Sequence, residues 1–106
     1  MAGIAVIVVG VIVAVLGIIN MAGNISSLHW YHRKNVTEEN VKPFGRMVGL
    51  GTLIIGVAVA LYGGVLALFA ENEPVVLIST ALMFVGIAVG MIITFRAMFK
   101  YNGGIF

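Results

Sequence analysis

The sequence predicts an all-α membrane protein: three transmembrane helices, N-terminus outside and C-terminus in the cytoplasm, packed antiparallel along glycine stripes. Three observations lead there. Apolar residues form 61% of the 106 residues and charged ones 9%, against a charged share of about 25% in ordinary soluble domains. A soluble body this small has much surface for its volume, and six cations with four carboxylates cannot cover it. The stretches 1–28, 47–70 and 74–95 carry no formally charged side chain, and each exceeds the roughly 20 residues needed to cross hydrocarbon about 30 Å thick. Finally, all six cations fall in or beside the first loop or after the third span.

The first span is expected over about 3–27. Backbone amides without partners are intolerable in hydrocarbon, so such a stretch must be helical. A secretory signal peptide is the competing reading, but it opens with a basic segment, and the first cation here is Arg33, beyond the span. A retained helix is therefore expected. Its end is polar: Asn20, Asn24, Ser26 and Ser27. Such amides bond across helices or reach interfacial water, and in a transporter they would line a path.

The loop of about 28–42 follows. Trp30 and Tyr31 fall where an inner aromatic belt belongs, and Arg33 and Lys34 suit anionic head groups. His29 and His32 are three residues apart, with Glu38 and Glu39 downstream. That spacing can bring two imidazoles to one metal, yet no paired acidic helix accompanies it, and interfacial histidines are the plainer reading. Asn35 to Glu38 resembles a capping box, with Asn35 as the cap. Pro43 would kink a helix already under way, so the second helix is expected to start between Thr37 and Pro43.

The second span covers about 43–70, the outer loop 71–74, the third span about 75–99 and the tail 100–106. Pro74 suits a first helical turn. Arg96 and Lys100 anchor the inner end of the third span, and the outer loop has carboxylates but no cation. Because positive residues stay cytoplasmic, both the first loop and the C-terminus belong inside.

Glycine supplies the packing signal. Gly3, Gly10 and Gly17 recur every seven residues, as do Gly49, Gly56 and Gly63, while Gly86 and Gly90 form a GxxxG pair. Small residues at that spacing make a smooth stripe along which helices approach closely in lipid. In an unstaggered hairpin, residues at equal depth have numbers with a constant sum. Gly3 with Gly63, Gly10 with Gly56 and Gly17 with Gly49 share one sum, 66. The GxxxG pair of the third span, Gly86 and Gly90, is then left for a second copy, so a homo-oligomer is expected.

Several function classes recede. Without cysteine there is no disulfide, thiolate metal site or cysteine catalysis. The cations flank the membrane instead of clustering, so no nucleic-acid surface is expected. No carboxylate lies within a span for a proton relay, and no phosphate-binding loop is present. No enzyme activity, metal or cofactor is expected. A structural or accessory protein, or one of immunity type, is the leading reading, with the bilayer, its own copies or another membrane protein as partners. The alternative is a small oligomeric transporter or channel subunit whose lining would draw on Asn20, Asn24, Thr52, Tyr62 and Thr94.

The stretch from His32 to Gly63 resembles very small bacterial integral membrane proteins of a domain-of-unknown-function family. Their pattern is a Glu-Glu-Asn-like start leading into a glycine-rich helix with a Phe-x-Arg-like step. Glu38, Glu39, Asn40, Phe44, Arg46, Gly49 and Gly51 carry the resemblance. It implies a bacterial inner (cytoplasmic) membrane and brings no activity.

Overall fold

A computed structural model describes residues 2–25 and 35–104. They form three helices, α1 (Ala2–Met21), α2 (Val41–Phe69) and α3 (Glu73–Asn102), with a 3-10 turn over Glu38–Asn40 running into α2. No strand occurs among the described residues. Each helix is long and apolar enough to cross a membrane, as a multi-pass membrane protein requires. At 1.5 Å per residue α1 is about 30 Å long and the other two about 45 Å, and the body is correspondingly elongated, 49 × 19 × 18 Å.

α1 stops well before residue 27. Gly23 takes a positive φ of 101°, its N–H donates to the Asn20 carbonyl (3.0 Å), and that of Asn24 donates to the Ile19 carbonyl (3.2 Å). This is a Schellman ending, with glycine at the left-handed position a side chain would resist. α2 begins at Val41, placing Pro43 in its first turn, where the missing N–H leaves no bond unmade. α3 opens on Asn72, whose side-chain oxygen accepts from the Val75 N–H at 3.3 Å, with Glu73 and Pro74 in the first turn. It runs on to Asn102, past the expected end near 99.

α2 is the central helix. It packs against α1 on one side and α3 on the other, while α1 and α3 barely meet. What is buried differs from a water-soluble bundle. The buried residues of α1 are Gly3, Gly10, Gly17 and Asn20, and five of the seven in α2 are glycines. The bulky side chains lie outside: Ile4, Val8, Ile12, Leu61, Leu68, Leu77, Leu82 and Phe84 are all more than half exposed. Interior small and exterior large is the reverse of the aqueous arrangement and the pattern of helices that contact lipid.

The exception is one end of the bundle, where Phe44, Val48, Ala97 and Met98 form a conventional side-chain core. Tyr101 meets Phe44 edge to face, with ring centroids 6.2 Å apart.

Candidate functional site

Three features could support a function: the two helix seams, a cleft beside one of them, and the knot at the end of the bundle.

Along the α1–α2 seam, backbones touch with nothing between them. A Cβ built on Gly3 would lie 2.7 Å from the Gly63 carbonyl oxygen, one on Gly10 2.7 Å from that of Gly56, and one on Gly17 2.7 Å from that of Gly49. Chain numbers rise along one helix as they fall along the other, so the two run antiparallel. The nearest α2 backbone to each of these positions belongs to Ala67, Ala60 and Leu53, one turn beyond the partner glycine. Each α1 glycine therefore sits between a glycine and the residue four further on, not level with the glycine as the constant sum of 66 expects. The seam ends at Asn20, 2% exposed, which donates from Nδ2 to the Asn24 carbonyl at 2.9 Å. A Cβ on Gly45 would run into the Asn20 carbonyl oxygen.

The α2–α3 seam uses the glycines expected to be spare. Cβ atoms built on Gly51 and Gly90 would each lie 2.5 Å from the other residue's carbonyl oxygen, and one on Gly86 would lie 2.8 Å from Ala58 Cβ. The GxxxG pair of α3 therefore faces α2 within the protomer. This overturns its expected assignment to a second copy: α3 needs the same small-residue approach to the central helix that α1 does. The Thr94 hydroxyl, against Gly51, has no hydrogen-bond partner among the described residues. Higher up, the Thr80 hydroxyl lies 2.8 Å from the Val76 carbonyl and 2.9 Å from the Tyr62 hydroxyl. The carbonyl can only accept, so the Thr80 proton goes there and the Tyr62 proton satisfies Thr80 Oγ1.

Beside that pair opens a cleft of about 270 Å³ lined by Ala58, Leu61, Tyr62, Val65, Ser79, Leu82 and Met83. Its wall is apolar apart from the hydroxyls of Tyr62 and Ser79, and no carboxylate, imidazole, amine or guanidinium lines it.

At the far end, Asn102 is fully buried. Its Oδ1 accepts the Asn35 N–H at 2.7 Å, its carbonyl oxygen accepts Asn35 Nδ2 at 2.9 Å, and its own Nδ2 donates to the Gly104 carbonyl at 3.0 Å. Asn35 is thus no helix cap. Thr37 precedes the 3-10 turn and Asn40 precedes α2, neither with a side-chain cap bond. Asn35 instead ties the segment before α2 to the end of α3. The sequence reading missed Asn102; its signal was an amide followed by Gly103-Gly104 at the close of an apolar helix.

The residues named as a polar lining do not gather on one path. Asn20 lies in the α1–α2 seam, Tyr62 and Thr94 in the α2–α3 seam, Asn24 is exposed and Thr52 is partly buried on α2. Arg96 and Lys100 are exposed, with Lys100 Nζ 5.3 Å from the centre of the Tyr101 ring. His29, Trp30, Tyr31, His32, Arg33 and Lys34 lie outside the described residues. Among the described residues no three His, Asp or Glu side chains come together as metal ligands would. No family model, curated protein or solved structure matches the chain.

Proposed function

We propose that this chain is a non-enzymatic accessory or structural protein of a bacterial cytoplasmic membrane, possessing an outer N-terminus and an inner C-terminus and associating with its own copies. An immunity-type role belongs to the same class. The observation that carries the reading is the inversion of side-chain size: glycine inside, bulky aliphatics outside, with Asn20, Tyr62 and Thr94 turned into the helix seams. Outer faces that are dry and aliphatic suit contact with acyl chains or another apolar helix, and offer nothing to water or ions. For that reason the accessory reading ranks above an oligomeric pore.

The cations support the orientation. Lys42 and Arg46 stand at the start of α2 and Arg96 and Lys100 at the end of α3, the same end of the bundle by the contact between Phe44 and Tyr101. Glu71 and Glu73 stand at the other. Positive charge is retained on the cytoplasmic side. With Gly86 and Gly90 occupied inside the protomer, self-association falls to the aliphatic face of α3 around Leu77, Leu82 and Val85.

Native mass spectrometry from nanodiscs tests the proposal. A dimer or larger closed assembly is expected; a strictly monomeric mass in lipid and across mild detergents overturns the self-association, and an ion conductance in vesicles overturns the accessory reading.

A further inference from the structure

Asn102 is followed by Gly103, the one Asn-Gly pair in the sequence. That dipeptide carries intrinsic chemistry. With no Cβ on the glycine, its main-chain nitrogen can reach the asparagine side-chain carbon. A bond forms from Gly103 N to Asn102 Cγ, the Cγ–Nδ2 bond breaks, and ammonia leaves with the proton from the glycine nitrogen. Water then opens the five-membered imide at either carbonyl, giving aspartate or isoaspartate.

The folded chain blocks each requirement. The Gly103 N–H donates to the Met98 carbonyl, so the nucleophile is engaged. Asn102 is the last helical residue, and helical ψ turns the next nitrogen away from the side chain. The carboxamide is held at both ends, Oδ1 by the Asn35 N–H and Nδ2 by the Gly104 carbonyl. We propose that Asn102 is a deamidation site gated by its clasp with Asn35: protected while this end of the bundle is closed, and reactive once it opens.

The product cannot restore every bond of the closed state. A carboxylate has no N–H for the Gly104 carbonyl and would set a negative charge at a position with no exposure, which is strongly disfavoured. Isoaspartate also lengthens the main chain by one carbon. Opening is therefore recorded permanently, and a modified chain keeps the Phe44–Val48–Ala97–Met98 core loosened. The inference does not depend on orientation or on self-association.

The test follows the peptide containing residue 102 by mass mapping of the full-length protein, incubated at mildly alkaline pH in detergent micelles and, in parallel, unfolded in denaturant. Folded protein is expected to deamidate at Asn102 at least about tenfold more slowly than the unfolded chain, because reaction must wait for local opening. Asn35→Ala deletes the Nδ2 bond to the Asn102 carbonyl, and Asn35→Pro deletes that bond together with the N–H given to Oδ1. The first should raise the folded-state rate about fivefold for one hydrogen bond lost and the second about twenty-five-fold for two, with helicity by circular dichroism unchanged. Equal rates in folded and unfolded wild type would overturn the proposal without recourse to any variant. So would a wild-type rate in both variants where they stay helical.

Discussion

Gly56 and Gly64 sit eight residues apart on α2, and their surroundings differ completely. A Cβ on Gly56 would run into the main-chain nitrogen of Ala14 and lie 2.7 Å from the Gly10 carbonyl oxygen, whereas one on Gly64 meets nothing within 4 Å. Gly56→Ala should therefore force α1 off the seam and destabilise by about 1–3 kcal/mol, the steric term outweighing a helix-propensity gain of about 1 kcal/mol. Gly64→Ala keeps only the gain. Unfolding titrated with SDS should lower the midpoint for the first and leave or raise it for the second; equal shifts would contradict the seam. The heptad spacing could be read before any coordinates because glycine every seven residues marks one helix face. The fate of Gly86 and Gly90 could not, since nothing in a GxxxG pair states which helix will use it. Asn102 was hidden for a related reason: a buried amide is defined by partners far away in the chain, and Asn35 is 67 positions distant.

Among the elements, the three spans were legible from charge-free length alone, while their ends depended on caps. Asn72 lies three residues before the N–H it accepts, and Asn72→Ala should cost about 0.5–2 kcal/mol as a lost N-cap. That change should appear as faster amide exchange over Val75 and Val76 without change at the Asn102 end. α1 was expected to reach about 27 because no charge interrupts 1–28. It ends at Met21 because Gly23 adopts the left-handed conformation. Hydropathy cannot register that event: glycine scores as an ordinary membrane residue while acting here as a stop. Asn35 was expected to cap a helix for the converse reason, since Asn followed three residues later by Glu has the right spacing but its amide is bound to Asn102.

At the scale of the whole molecule, orientation is the property that fixes all later biology. Single cysteines introduced at Asn72 and Glu38 into this cysteine-free chain allow a direct measurement. An impermeant maleimide applied to intact cells should label Asn72→Cys and spare Glu38→Cys until the membrane is broken; the opposite pattern would invert the topology. A last consequence concerns the uniformity of the α1–α2 seam. A ruler marked only in sevens looks the same after a shift of seven. Sliding α1 by one heptad, about 10.5 Å, would again lay Gly3 beside Gly56 and Gly10 beside Gly49, so the stripe alone scarcely distinguishes the two alignments. The distinction comes from the end where the repeat breaks down. The Asn20 main-chain carbonyl now abuts Gly45 at the edge of the seam, and the slipped alignment would bring it level with Glu38, beyond the start of α2 at Val41. Close approach is thus distributed over the full length of the seam, whereas the choice of alignment is concentrated at its rim, where the Asn20 main-chain carbonyl meets Gly45.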